Sequence, residues 1–348
     1  MSAPLRVLLA GLGNMGLSHA MACHENPALQ IVGLANRSRP DLPGPLAGYP
    51  FFGDFETALA QTKPDLAVIA TYTESHAGYA IAAMEAGAHV FVEKPLAANM
   101  ADATRVVETA RRTGRKLMVG YILRVHPSWQ RLIAEARALG GPYVFRLNLN
   151  QQSTGAQWEV HKALMRSTSP IVDCGVHYVD VMCQITDAPP REVRGMGLRL
   201  SGEIAEDMYN YGHFQVLFAD GSVGWYEAGW GPMISETAFF VKDVIAPGGA
   251  VSIVGSEPGG SAEIEGHTRV GALRLHRAGH GDRVVEMPDE PGHQALCAAE
   301  MAQMAAAIRE DRDLSRHMRD ALNSLAVCLA ADESVRTGQA VKLQQGEG

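Results

Sequence analysis

The sequence predicts an α/β protein in which a doubly wound parallel sheet is followed by an α+β domain with a large, mostly antiparallel open sheet. Short apolar runs alternate with helical stretches up to residue 122, which is typical of a parallel sheet covered on both faces. Beyond residue 122 the pattern changes, and the predicted strand 143–151 alternates residue by residue between apolar and polar positions, as a half-buried strand does. We therefore expect two domains, residues 1–122 and 123–348. Two domains are also the usual number for a chain of 348 residues.

The first domain is predicted from five apolar runs and the breakers between them. Gly87 and Gly114 end two of its helices, and the breaker Lys63-Pro64 introduces the third run. The predicted strands are residues 5–10, 31–36, 65–70, 89–94 and 116–121. One predicted helix begins near Met15, and two others cover about 76–86 and 99–113. Right-handed crossovers between such strands give a doubly wound sheet.

The second domain is predicted to be mainly antiparallel. The pair Asp220-Gly221 is typical of a hairpin turn between two of its strands. The predicted strands are residues 143–151, 193–200, 212–218, 222–230, 237–245 and 251–254. The predicted helices are residues 128–139, 170–185, 293–310 and 315–337.

Composition excludes several classes of function. The net charge is −8 and no run of Lys and Arg occurs, so we expect no nucleic-acid partner. The apolar stretch after the N-terminus is too short for a signal peptide or a membrane span, so we expect a cytoplasmic protein without a membrane partner. Five cysteines without a CxxC pair favour buried, reduced thiols and argue against a disulfide framework or a metal site.

A glycine loop, "GLGNMG" at 11–16, follows the first strand and opens the first helix. In this context it indicates a Rossmann dinucleotide site: Gly11 permits the tight turn, Gly13 the approach of a pyrophosphate, and Gly16 close packing of helix on strand. The helix N-terminus supplies N–H groups to the phosphates, so Asn14 and Met15 join the expected contacts. The alternative is a glycine-rich turn that binds no ligand.

The end of the second strand predicts which dinucleotide binds. A carboxylate would bind both ribose hydroxyls of NAD(H), but this sequence has Asn36, Arg37 and Ser38 there. Arg37 can pair with a 2′-phosphate, Ser38 can donate to it, and Asn36 does not repel it. We therefore expect a preference for NADP(H), with NAD(H) possible if Arg37 is only a solvated charge.

Two further stretches carry candidate chemistry. "EKP" at 93–95 places Lys94 at the carboxyl end of a strand, where ligands bind in open α/β sheets. Ser169-Pro170 predicts a helix start, which puts Asp173 and His177 one turn apart. Such a carboxylate can orient an imidazole and raise its proton affinity. The alternatives are a surface lysine and an ordinary i,i+4 pair.

With these motifs the chain resembles the Gfo/Idh/MocA oxidoreductases, which include glucose–fructose oxidoreductase and inositol dehydrogenase. The matching stretches are "GLGNMG" (11–16), "TYTESH" (71–76), "AGAHVFVEKPLA" (86–97), "GYILRVHPSW" (120–129) and "SPIVDCGVHYVDVM" (169–182). They span roughly half of the chain, and the EKP and D-x-x-x-H stretches are the specific part. The departure is "ANRS" at 35–38, where many members carry an aspartate.

The resemblance implies a role for each matching position. The implied catalytic residues are Lys94, Asp173 and His177, which would frame the substrate beside the nicotinamide. The implied cofactor contacts beyond the glycine loop and residues 36–38 are Thr71, Thr73, His76, Glu93 and Lys94. The implied substrate contacts are Lys94, Arg124, Trp158, His161, Asp173 and His177. The open sheet of the second domain would form a homodimer or homotetramer.

The implied reaction interconverts a hydroxyl and a keto group on a sugar, inositol or related polyol. His177, oriented by Asp173, is the expected base for alcohol oxidation, and Lys94 would stabilise the reacting oxygen. Lys94 as the proton carrier remains open. Two other functions also remain open: a glycosidase that works by transient oxidation and elimination, and a non-catalytic NADP sensor.

Overall fold

The structure is a computed structural model that describes residues 3–235, 241–254 and 268–343. The chain forms two compact units. The first comprises Met1–Val125 and Pro291–Leu322, and the second comprises His126–Glu290 and Asn323–Gly348. The predicted division at residues 122 and 123 lies close to the first break, but a segment near the C-terminus belongs to the first unit.

Two sheets contain the strands of the described residues. The first sheet holds β1 Leu5–Ala10, β2 Leu29–Ala35, β3 Phe51–Phe52, β4 Leu66–Ile69, β5 His89–Val92 and β6 Leu117–Val119. The second holds β7 Val144–Gln152, β8 Pro190–Leu198, β9 Tyr211–Phe218, β10 Val223–Gly231, β11 Lys242–Ala246, β12 Gly249–Ile253, β13 Ala272–Arg277, β14 Gly281–Glu286 and β15 Val341–Lys342. Every pair in the first sheet is parallel, in the order β3-β2-β1-β4-β5-β6. In the second sheet, order β14-β13-β12-β11-β7-β10-β9-β8-β15, only β7 and β10 pair in parallel.

The helices lie between and after these strands. In chain order they are α1 Asn14–Glu25, α2 Phe55–Thr62, α3 Thr73–Glu85, α4 Met100–Thr113, α5 Pro127–Ala138, α6 Gly155–Leu164, α7 Pro170–Thr186, α8 His293–Arg309 and α9 Ser315–Thr337. None of the helices in the described ranges combines the length and the hydropathy that crossing a lipid bilayer requires. All five cysteines lie in these ranges, and each is a buried free thiol.

The core of the first unit explains why α8 belongs to it. The middle strands β1, β4 and β5 are buried along almost their whole length, as expected for a parallel sheet covered on both faces. Met301 and Met304 of α8 are fully buried in the same cluster as Leu9 of β1 and Ala20 of α1. Helix α8, although distant in sequence, therefore packs on one face of the parallel sheet of the first unit.

In the second unit, α7 lies against the middle of the nine-stranded sheet. Val193, Phe214 and Tyr226 point inward from β8, β9 and β10 and are fully buried. The alternate positions point to the other face, where Leu217 and Val223 keep 42% of their surface exposed. Gly221, with a φ of +87°, completes the predicted hairpin turn between β9 and β10. The predicted fold class is confirmed.

Several helices and strands of the structure were not predicted from the sequence. The two-residue β3 is too short to show a period, and α6 carries only two buried residues, so its pattern is weak. Helix α2 is short, but its buried residues Phe55, Ala58, Leu59 and Thr62 follow the helical spacing, so this pattern was missed. Strands β13 and β14 form a further hairpin at the sheet edge. Of the predicted strand 237–245, residues 237–240 lie outside the described part of the chain, and β11 begins at Lys242.

Candidate cofactor and catalytic residues

The glycine loop has the backbone that its sequence requires. Gly11 has a φ of +89°, and a Cβ there would lie 2.2 Å from the carbonyl oxygen of Ala70. A Cβ on Gly16 would lie 2.1 Å from the carbonyl oxygen of Gly11, so α1 can pack this closely on the loop only without a side chain. Gly13 differs, because a Cβ there would meet nothing within 4 Å. Open space therefore lies in front of Gly13.

The N-terminus of α1 fits the pyrophosphate of a dinucleotide. Gly13 is the N-cap and forms no side-chain capping bond, and the first turn, which includes Asn14 and Met15, carries no acidic residue. The first N–H groups of the helix and its positive dipole end are therefore directed at the open space beside Gly13. An anion that approaches this backbone would accept hydrogen bonds from these N–H groups.

The three residues after β2 differ in their surroundings: Asn36 is hydrogen-bonded to neighbouring backbone, whereas Arg37 and Ser38 are exposed. Asn36 accepts a hydrogen bond from the backbone N–H of Leu12 at 3.3 Å and donates to the carbonyl of Ser38 at 2.7 Å. It thereby joins the glycine loop to the end of β2. Arg37 and Ser38 are exposed, so both can reach a ligand at this end of the strand.

The loop after β4 places Thr71 and Thr73 at the start of α3. The hydroxyl of Thr71 lies 2.7 Å from that of Ser75. His76 is 1% exposed, and its Nδ1 and Nε2 lie 2.8 Å and 3.0 Å from the carbonyl oxygens of Pro95 and Thr71. Burial lowers the pKa of His76, so the neutral ring donates to only one of these carbonyls. His76 holds the EKP stretch against this loop.

Lys94 is the one partly exposed residue between Phe91 and Ala97, since its neighbours are all buried. The preceding Glu93 turns inward, and its Oε1 lies 2.6 Å from Nε2 of His19 on α1. Glu93 Oε2 accepts from the backbone N–H of Lys94 at 3.2 Å. The backbone on each side of Lys94 is thus held from within the first unit.

Three of these stretches emerge at one edge of the first sheet. Strands β1, β4 and β5 are adjacent and parallel, so their carboxyl ends meet there. The glycine loop follows β1, Thr71 follows β4 and Lys94 follows β5. Ligands of doubly wound sheets bind at this edge.

Helix α7 of the second unit begins as predicted. Ser169 is the N-cap and accepts from the N–H of Val172 at 3.1 Å, and Pro170 is the first helical residue. From Pro170 to Cys183 every residue is buried except Asp173 and His177, which are partly exposed. The helix therefore presents a carboxylate and an imidazole from an otherwise buried surface.

Two neighbours on α7 have other roles. A Cβ on Gly175 would lie 3.1 Å from the ring of Tyr226, so this glycine serves the close packing of α7 on β10. Asp180 is fully buried and accepts from Gln184 at 3.0 Å. Asp180 is thus a structural carboxylate rather than a third member of the exposed group.

Three of the predicted substrate contacts, Arg124, Trp158 and His161, have internal partners in the structure. Arg124 donates to Asp320 at 3.0 Å within the first unit. In the second unit, Trp158 is 5% exposed and donates from Nε1 to Glu203 at 3.2 Å. His161 is 6% exposed and stacks on a tryptophan ring 4.3 Å away. Their roles toward a substrate stay predictions.

Two buried titratable residues near the Lys94 backbone, His19 and Glu300, were not among the residues predicted from the sequence. His19 follows the glycine motif on α1 and is fully buried against Glu93. Glu300 is 3% exposed on α8. A carboxylate within the apolar stretch "CAAEMA" (297–302) indicates a buried acid, but not which strand it meets.

Two family models match the chain. One, described as an oxidoreductase family with an NAD-binding Rossmann fold, matches residues 5–121. The other, described as the GFO/IDH/MocA C-terminal domain, matches residues 130–241. Together they cover both sheets' central strands.

Curated relatives are similar over part or nearly all of the chain. A 4-carboxy-2-hydroxymuconate-6-semialdehyde dehydrogenase of Sphingobium sp. strain SYK-6 is 34% identical over 45% of this chain and 54% of its own length. The chain thus spans about half the length of that relative. A scyllo-inositol 2-dehydrogenase (NAD(+)) of Bacillus subtilis strain 168 is 25% identical over 97% of this chain and 96% of its own length. Among solved structures, an oxidoreductase domain protein from Kribbella flavida has the same fold, with a TM-score of 0.80, 22% identity and coverage of 99% and 100% of the two chains.

Proposed function

The chain belongs to the Gfo/Idh/MocA family of NAD-binding oxidoreductases, and from that membership we propose that it interconverts a hydroxyl and a keto group on a sugar, inositol or related polyol. The relative from Bacillus subtilis, whose name gives scyllo-inositol as substrate, supports this class of substrate. Lys94, Asp173 and His177 are the residues to which the proposal assigns the chemistry.

The observation that carries the proposal is the shared sheet edge of the first unit. The open space at Gly13 and the partly exposed Lys94 lie at the carboxyl ends of two strands that are separated only by β4. A dinucleotide whose pyrophosphate lies at Gly13 extends along this edge. An ammonium group at the same edge is suited to a reacting oxygen beside the redox carbon.

Each catalytic residue has a distinct task in this proposal. A dinucleotide held by the glycine loop would supply the hydride acceptor or donor. His177 takes the hydroxyl proton during oxidation and returns it during reduction, and Asp173, one turn earlier on α7, keeps the imidazole in the required tautomer. Lys94 donates a hydrogen bond to the substrate oxygen and stabilises the negative charge that develops on it.

We further propose that the cofactor is NADP(H). Arg37 and Ser38 are exposed after β2, and Asn36 is engaged with the glycine loop, so no carboxylate at this position repels a 2′-phosphate. A guanidinium can pair with that phosphate through two parallel N–H bonds. NADPH dependence would favour the reductive direction.

The experiment is a panel of inositols, sugars, polyols and their keto forms, followed by absorbance at 340 nm with NAD(H) and NADP(H) in parallel. Turnover of at least one hydroxyl–keto pair is the expected result. Purified protein that binds dinucleotide but turns over no member of the panel would contradict the proposal. Release of an aglycone from a glycoside without net change at 340 nm would indicate the eliminating glycosidase instead.

The outer face of the nine-stranded sheet supports a homo-oligomer. Leu217 and Val223 are each 42% exposed, Met196 is 60% exposed and Leu198 is 56% exposed on neighbouring strands. Apolar side chains gathered on one face mark an interaction surface. We propose that a second copy of the chain covers this face, and light scattering of wild type and Leu217→Lys tests it: a mass of two or four chains should fall to one.

A further inference from the structure

A buried cluster of titratable side chains lies in the first unit beside the backbone of Lys94. Its members are His19 of α1, Glu93 at the end of β5, and Cys297 and Glu300 of α8, with exposed fractions of 0%, 6%, 0% and 3%. One side-chain atom from each of His19, Cys297 and Glu300 lies within 4.8 Å of the other two. The proposed reaction assigns no task to His19, Cys297 or Glu300.

Glu93 connects this cluster to Lys94. Its Oε1 lies 2.6 Å from Nε2 of His19, and its Oε2 accepts from the N–H of Lys94 at 3.2 Å. Both carboxylate oxygens thus face N–H donors, which is the arrangement that a buried carboxylate needs. Gly120 makes room for the group, because a Cβ there would lie 3.0 Å from Oε1.

Glu300 and Cys297 remain protonated next to this carboxylate. Burial, and next the negative charge of Glu93, raise the pKa of Glu300 well above its ordinary value. Burial, and then Glu300 and Glu93, raise the pKa of Cys297 to about 12. Two neighbouring carboxyl groups in a buried site cannot both ionise at low cost, so one keeps its proton.

We propose that His19 and Glu300 are positioning residues for the reaction, which act on Lys94 through the carboxylate of Glu93. His19 fixes the direction of the Glu93 side chain. Glu300, as a neutral carboxylic acid, packs beside Glu93 without adding a second negative charge. Lys94 then leaves β5 in one direction, with Pro95 held on its other side by His76. This inference rests on the proposed function, because it assigns the cluster to the task of Lys94.

A divalent metal ion is the other occupant that this geometry could accept. It would have to displace the protons of Cys297 and Glu300, whose pKa values burial raises. The cluster therefore suits a hydrogen-bonded group better than a metal. Elemental analysis of the purified protein decides the point: about one equivalent of zinc or another transition metal, lost in Cys297→Ala, would overturn the inference.

The central experiment compares two variants of each positioning residue. His19→Leu removes the donor to Glu93, and we expect kcat to fall on the order of 10- to 100-fold while KM for the cofactor stays within about threefold. His19→Gln keeps an N–H donor and should recover most of the loss. Glu300→Gln, which is neutral and of the same shape, should stay near wild type, whereas Glu300→Leu should lower kcat by about tenfold.

A second readout needs no turnover. The rate at which an N-hydroxysuccinimide ester of acetic acid acylates Lys94 is measured by peptide mass spectrometry, with Lys63 and Lys116 as internal references. We expect the Lys94 rate to change by about threefold or more in His19→Leu and Glu300→Leu, since amine reactivity follows its environment. The reference rates and the melting temperature report whether the fold is intact.

The two readouts distinguish failure of the proposed function from failure of the positioning role. Wild-type protein that turns over no member of the substrate panel contradicts the proposed function, whereas the acylation rates still test the positioning role. Folded His19→Leu and Glu300→Leu proteins with wild-type kcat and wild-type Lys94 acylation would overturn the inference. If His19→Leu does not fold, Glu300→Leu decides: a folded Glu300→Leu protein with wild-type kcat and wild-type Lys94 acylation would overturn the inference.

Discussion

Gly11 and Ala70 are packed so closely that a Cβ on Gly11 would lie 2.2 Å from the carbonyl oxygen of Ala70. The contact joins the turn after β1 to the end of β4, the two strands that hold the dinucleotide edge of the sheet. A Cβ on Gly13, two residues later, would lie more than 4 Å from every described residue except its two chain neighbours. The fold therefore requires a glycine at position 11, whereas at position 13 only the proposed dinucleotide would require one.

The two glycines provide a matched pair of variants. Gly11→Ala forces a Cβ into backbone at a φ of +89°, so we expect a loss of stability on the order of 3 kcal/mol or failure to fold. Gly13→Ala should melt within about 2 °C of wild type, because its φ of −76° suits alanine. It should nevertheless weaken NADPH binding by about tenfold or more, since a methyl group then occupies the pyrophosphate's place. Calorimetry and fluorescence titration measure the two effects, and unchanged NADPH affinity in Gly13→Ala would remove the cofactor site from this loop.

Loss of the catalytic groups should stop turnover without affecting cofactor binding. We expect Lys94→Ala and His177→Ala to lower kcat by about 10²- to 10⁴-fold, which is the usual contribution of a positioned proton-transfer group. NADPH affinity measured by fluorescence should remain within a few-fold of wild type.

The control for Lys94 is Lys116→Ala. Lys116 precedes the neighbouring strand β6 and so lies at the opposite edge of the parallel sheet, where it pairs with Asp311 at 2.7 Å. It should retain wild-type turnover. Near-normal kcat in both Lys94→Ala and His177→Ala would refute their catalytic assignment.

Local signals in the sequence were sufficient for the fold class but not for the interior of the site. The glycine motif, the apolar runs and Ser169-Pro170 each specify a structure through their own few residues, and the structure contains all of them. The His19–Glu93 contact joins residues 74 apart, and α8 reaches the first unit from the far end of the chain. Such contacts depend on tertiary packing, which a periodic pattern in one sequence does not encode.

Cofactor preference should depend on Arg37. If its guanidinium binds a 2′-phosphate, Arg37→Ala should raise KM for NADP(H) by about tenfold or more and leave KM for NAD(H) within about twofold. Initial rates with both cofactors measure the ratio. Arg39→Ala is the control, because the neighbouring Arg39 is also exposed but donates to the carbonyl of Ala47 at 3.0 Å. An equal change for both cofactors in Arg37→Ala would contradict the proposed NADP preference.

The stability of the first unit should decrease in mild acid because of His89. Its Nδ1 accepts a hydrogen bond from the backbone N–H of Lys116 at 2.9 Å, which requires that this nitrogen carry no proton. Burial, followed by the positive charges of Arg115 and Lys116, lowers the pKa of His89 from 6.5 to about 4. Below pH 6.5 the unfolded chain therefore binds a proton that the folded chain does not, so this contribution is complete above pH 6.5 and is lost as the pH falls toward 4. Since the imidazole is partly exposed, we expect a loss of about 1 kcal/mol, or a few degrees in melting temperature, between pH 7 and pH 4.5.

The variant His89→Asn tests this contribution, because its amide oxygen can accept the same N–H without titrating. Its melting temperature should therefore fall less over this pH range. The control is His280→Asn, at an exposed turn, which should follow wild type. Parallel pH profiles of wild type and His89→Asn would show that His89 does not contribute.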